Sequence, residues 1–149
     1  MARFVAQPNV GENTIVTYKA AAATTDADVG KPVKITATDE VVICSDGDDI
    51  YGFISTIQSA TSDGKKLVGV QIAGRIWVEL DGAAAVGTVV EAAANAAAGT
   101  ANTSGYGIVS VHTMVSDTVA NLAASLQLKS WLVISGTGLD EAIVLIEKQ

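Results

Sequence analysis

The chain has 149 residues, enough for an ordinary domain with a core of its own. Hydrophobic residues make up 49% but aromatics only 5%, so Val, Ile and Leu must build that core, with alanine filling tight places. A net charge of −7 with no basic cluster beyond Lys65-Lys66 argues against nucleic acid as a partner, because the surface repels phosphate backbones.

Mean hydropathy is high at +0.38. No apolar run approaches the roughly 20 residues of a membrane helix, so no membrane is expected and the excess apolarity is read as buried surface, part of it between subunits. Cys44 is the single cysteine, which rules out an internal disulfide framework and fits a reducing cytoplasm as the place of synthesis. Met1-Ala2-Arg3-Phe4-Val5 lacks the long apolar core and processing site of a secretory signal, and none is expected.

In chain order, residues 1–24 differ in character from the rest of the sequence. Ile15-Val16-Thr17-Tyr18 suits one short strand, but the flanks are polar, glycine- or alanine-rich. With so few apolar anchors the segment reads as an N-terminal arm, either frayed or laid on another surface. From Val33 the period becomes two: Val33, Ile35 and Ala37 alternate with Lys34, Thr36 and Thr38, the pattern of a half-buried strand. Val41 to Cys44 is a β-branched run ending at the turn Ser45-Asp46-Gly47-Asp48-Asp49, and Ile50 to Ile57 is a further strand. Thr61-Ser62-Asp63-Gly64 carries hairpin-turn chemistry. Leu67 to Ala73 and Arg75 to Leu80 come next as strands hinged at Gly74, and Asp81-Gly82 closes a first unit.

A second unit then restates the first. Val29-Gly30-Lys31-Pro32-Val33 is echoed by Val86-Gly87-Thr88-Val89-Val90, and Tyr51-Gly52-Phe53-Ile54 by Tyr106-Gly107-Ile108-Val109, at nearly the same spacing. Ala92 to Ala98 has helical composition, but its place in the repeat favours strand and loop. Ile108 to Val115 is strand-like, Asp117 to Leu126 is either a short helix or a long hairpin, and Trp131 to Ile134 and Ala142 to Ile146 are closing strands. The expected fold is mainly β: a duplicated antiparallel strand unit forming a compact barrel or sandwich, with at most one short helix. An arm, 1–24, precedes a single β domain, 25–149, made of units 25–82 and 83–149.

Reactive groups are sparse. His112 is the only histidine and no nucleophile motif accompanies it, so catalysis is not expected. Asp46, Asp48 and Asp49 lack the loop length and distal Glu of a calcium loop and read as a polar turn. One Cys and one His make no zinc set, and the strings Gly105-Tyr106-Gly107 and Gly136-Thr137-Gly138 have no Walker lysine. No metal and no cofactor is therefore expected, and Cys44 reads as a small buried hydrophobe. Among the large side chains Trp77 alternates against Ile76 and Val78 and is the best interface anchor. Phe4, Val5, Ile15, Val16 and Tyr18 of the arm are the other interface candidates. Trp77 or Trp131 as a sugar-stacking platform gives an alternative reading, a carbohydrate-binding or adhesion module.

The order of these marks resembles the capsid decoration, or head cement, proteins of tailed bacteriophages. The positions that carry the likeness are Gly30, Val33, Gly52, Val70, Ile72, Gly74 and Val78, with Gly87, Val90, Gly107 and Val109 in the second unit. The resemblance implies a non-enzymatic structural protein on the outer surface of an assembled icosahedral head. Its partner would be the major capsid protein, whose subunits it would bridge, commonly as a homotrimer, after synthesis in the host cytoplasm. A cluster of identical patches gains avidity without any single strong contact.

Overall fold

The computed structural model describes residues 13–93, 107–111, 131–136 and 143–148. Within them the only helical element is a 3-10 turn at Asp26–Asp28, and all other regular structure is strand. Five strands, β1 (Thr14–Ala20), β2 (Pro32–Ala37), β3 (Glu40–Ile43), β4 (Gly52–Ala60) and β5 (Lys66–Ala73), close into a barrel in the order β1-β3-β2-β4-β5. The next five, β6 (Arg75–Leu80), β7 (Val89–Ala92), β8 (Gly107–Val111), β9 (Trp131–Ser135) and β10 (Ile143–Lys148), close into a second, in the order β10-β6-β8-β7-β9. Adding five to each strand number of the first circuit gives the second. The duplication is thus one of whole barrels.

The expected mainly β fold is what the structure has, and its strand pairing is antiparallel apart from one junction in each barrel. Each barrel contains one parallel pair, β1 with β3 and β6 with β8. A ring of five strands cannot alternate direction all the way round, so one neighbouring pair must run the same way.

The expected boundaries also move. Thr14–Ala20 is no arm but β1, paired along its whole length with β5 from Thr14↔Ala73 to Ala20↔Lys66. The repeat breaks at Gly74, between β5 and β6, and the units 25–82 and 83–149 are the same tandem read one strand out of phase. Gly74 has φ +91 and a Cβ there would collide with Asn13, so the junction needs glycine. Residues 1–12, 94–98 and 117–126 lie outside the described residues, and with them the remainder of the arm and both helix-or-loop alternatives.

Each strand faces its core with every second residue. In the first barrel Val33, Val41, Ile54, Val68 and Val70 are buried together. The second barrel's cluster, which includes Ile76, Val78, Leu80, Val109, Trp131, Val133, Val144 and Ile146, also takes in Cys44, Ile50 and Phe53 from the first. Phe53 meets Trp131 edge-to-face with ring centroids 5.1 Å apart. Backbone bonds reinforce the junction: Gly47 N–H donates to Ala92 O (2.8 Å) and Ala92 N–H to Asp48 O (3.0 Å). Lys148 Nζ donates to Tyr51 O at 2.9 Å and stands 5.4 Å from the Trp131 ring centre. The second barrel's core thus reaches into the first at Cys44, Ile50 and Phe53, while the first barrel keeps a cluster of its own.

Candidate interaction surface

Many ionisable groups in the described regions serve internal contacts. Asp48 accepts the Ser45 N–H at 2.6 Å and pairs with Lys34 at 2.6 Å, so the 45–49 segment is a turn whose carboxylate is spent on its own backbone and on β2. No group of three or more His, Cys, Asp or Glu side chains able to hold a metal occurs among the described residues. Cys44 is buried, and that burial pushes its thiol up to about 12, well away from a reactive thiolate. His112 lies outside the described residues.

The interface candidates separate. Ile15 is 50% exposed on the outer face of β1, whereas Val16 is half-buried. Tyr18 points inward instead. It packs against the first core and shares a 2.6 Å hydrogen bond with the Tyr51 hydroxyl. That bond, with some burial, pushes Tyr18 up to about 12, and its side chain is committed within the barrel. Trp77 is half-buried on the side of β6 opposite Ile76, Val78 and Leu80, directly across from Leu145. Trp131 is 1% exposed and so unavailable for stacking. Phe4 and Val5 lie outside the described residues.

One surface feature was not legible from the sequence: an apolar cleft of about 270 Å³ in the first barrel. Ala20, Ala21, Ala23 and Thr24 form one wall, and Val41, Val42 and Ile43 of β3 the other, with Val33 and Ile54 beneath and Asp28 at the rim. It exists because β1 and β3 part early. Their parallel ladder consists of the single pair Lys19↔Glu40. After Ala20 the chain leaves the sheet, and a turn bond from Thr24 N–H to Ala21 O (3.0 Å) leads it away.

The second barrel shows what this site looks like when filled. Val16 pairs with Val70, which pairs with Ile54; Ile76 pairs with Ile146, which pairs with Val133. This register makes Ala20 the counterpart of Leu80, and the β2–β3 and β7–β8 pairings independently make Val41 the counterpart of Val109. In the second barrel the parallel ladder runs through three pairs, from Val78↔Gly107 to Leu80↔Val109. Leu80 is 1% exposed, and Asp81 N–H donates to Val109 O at 2.7 Å. In the first barrel alanine replaces the leucine, and no described strand reaches the Val41 carbonyl.

Compared with known proteins, the chain matches no family model and no curated protein.

Proposed function

We propose that this protein is a capsid decoration protein: a non-enzymatic clamp on the outer surface of an assembled phage head that bridges major capsid subunits. The resemblance of its strand-start motifs to head cement proteins supports the reading, and the observation that carries it is the packed junction at which the second barrel's core takes in Cys44, Ile50 and Phe53 of the first. A clamp that resists pressure must transmit load between contacts. Two barrels sharing Phe53 and Trp131 do this better than two beads on a linker, which bend where few contacts cross. The acidic surface suits an outward position, away from packed DNA. Exposed Ile15, Ile35, Val42 and Val86 supply small apolar contacts spread over the surface. A homotrimer is the assembly we favour, since three copies of one patch add avidity.

The test is co-sedimentation of purified protein with expanded, undecorated heads, followed by thermal rupture of the heads. Saturable binding and a higher rupture temperature are expected. A protein that stays in the supernatant at every concentration would refute the proposal, and a glycan-array signal lost on Trp77→Ala would replace it with the adhesion reading.

A further inference from the structure

We infer that the cleft between β1 and β3 is a socket for one aliphatic side chain, carried on an extended, basic segment of the partner protein. The inference rests on the reading of this chain as a binding protein and adds where and how it grips.

Three observations converge. The first is size. At about 270 Å³ the cleft is smaller than the ~300–1,000 Å³ typical of small-molecule pockets, yet its lining is almost wholly aliphatic, which suits a leucine side chain together with part of the extended segment that carries it. The second is a sheet edge that no described strand pairs. Lys19 N–H donates to Asp39 O, and Cys44 N–H donates to Pro32 O on the opposite side of β3. Backbone groups alternate along a strand, so the carbonyl of Val41 and the N–H of Ile43 point to the cleft side. The corresponding carbonyl in the second barrel, that of Val109, receives Asp81 N–H beside the buried Leu80. An incoming extended segment that placed a leucine over Ala20 and an N–H on Val41 O would reproduce the contact the second barrel makes within its own chain.

The third observation is charge. Asp28 stands at the rim, with exposed Asp26 beside it and exposed Asp39 next to the Lys19↔Glu40 rung. The nearby lysines are engaged: Lys31 with Asp28, Lys34 with Asp48, Lys65 with Glu40 and Lys19 with Asp63. Lys66 lies on β5, on the far side of β1 from the cleft. Asp26 and Asp39 enter none of these ion pairs, and a partner segment with Lys or Arg flanking its aliphatic anchor complements them.

The experiment titrates the full-length, isotope-labelled protein with a capped Lys-Val-Leu-Val-Lys peptide and tracks backbone amides by NMR. Saturating shifts confined to Ala20–Thr24 and Val41–Ile43 are expected at millimolar peptide. They should vanish when the peptide leucine is replaced by alanine and weaken at least tenfold when both lysines become glutamate. Ala20→Leu puts into the socket, at the place the peptide leucine would take, the side chain found at the equivalent position in the second barrel, and should abolish the response without lowering the melting temperature. Should that variant misfold, the peptide substitutions decide alone. Shifts elsewhere, shifts that survive Ala20→Leu, or an equal response to the glutamate peptide would overturn the socket. Peptide binding by a protein that ignores heads defeats only the capsid reading, and head binding without peptide response defeats only the socket.

Discussion

Phe53→Ala tests whether the barrels share a core. Phe53 belongs to β4 of the first barrel, is fully buried, and lies in the second barrel's cluster against Trp131. Truncating a buried Phe costs about 3–5 kcal/mol through lost transfer energy and the cavity left behind. For a protein of this size that lowers the melting temperature by roughly 10 °C or more. The edge-to-face ring pair should account for about 0.5–1.5 kcal/mol of the loss, recoverable as the coupling energy of a Phe53→Leu, Trp131→Leu double-mutant cycle. Both tryptophans, Trp77 and Trp131, belong to second-barrel strands, so the midpoint of their fluorescence change follows the second barrel and its contact with Phe53. In urea, Phe53→Ala should shift the fluorescence midpoint as far as the midpoint read from exchange of first-barrel amides such as Val68 and Val70. If the fluorescence midpoint stays at the wild-type value while the first barrel's falls, the two barrels have separate cores. The account of one stiff body then fails.

Three further outcomes are expected from the same contacts. Bonds from Lys19 and Thr61 hold Asp63 below its usual range; Asp28 and Asp48 are also lowered, burial opposing but the bonds from Lys31 and Thr25, and from Lys34 and Ser45, prevailing. Their stabilisation is therefore complete above the unfolded carboxylate value of about 3.9 and lost as pH falls through the depressed folded values; melting temperature should decline below about pH 4, and a flat profile from pH 5 to 2 would contradict it. Cys44, pushed up to about 12 by burial, contributes stability that is full below the unfolded thiol value of about 8.5 and lost as pH rises toward 12; its labelling by a disulfide reagent at pH 8 should track global unfolding, and fast labelling of native protein would refute the burial. Gly52→Ala should cost about 1–3 kcal/mol in urea denaturation, because its Cβ would fall 2.5 Å from Gln71 O and force β4 from β5.

The β character, the Asp-Gly hairpin turn and the Gly74 hinge could be read directly from the chain, because period-two patterns and turn chemistry are local properties. The Val-Gly echo also has a structural basis: Gly30 (φ +91) donates to Ile54 O at 2.7 Å and Gly87 (φ +89) to Val133 O at 2.8 Å, the same bond in each barrel. The Tyr-Gly echo has none. Gly52 opens β4 whereas Gly107 opens β8, the counterpart of β3. Nothing in hydrophobic periodicity marks where a tandem ring of strands begins, so an accidental match can slip the phase by a strand. β1 added to the slip because its inward residues Val16 and Tyr18 are only half-buried and Ala20 is small, which makes a barrel strand look like an arm. The cleft was hidden for a related reason. It depends on Ala20 standing where the second barrel has Leu80, an equivalence visible only once the register is known.

Duplication also explains how a docking site can arise without damage to the fold. A five-strand ring needs one parallel junction, and a parallel pair has no hairpin to hold its register, so this junction depends most on side-chain packing. In the second barrel Leu80 and three paired rungs seal it; in the first, one rung suffices because the remaining four junctions are antiparallel and Val33, Val41, Ile54, Val68 and Val70 still fill the core. One copy can thus keep the closed junction while the other gives up a leucine and two rungs, leaving an apolar gap beside a sheet edge that no described strand pairs. If the gap were mere slack, Ala20→Leu should raise stability and change nothing else; if it is a socket, the same substitution should raise stability and abolish binding.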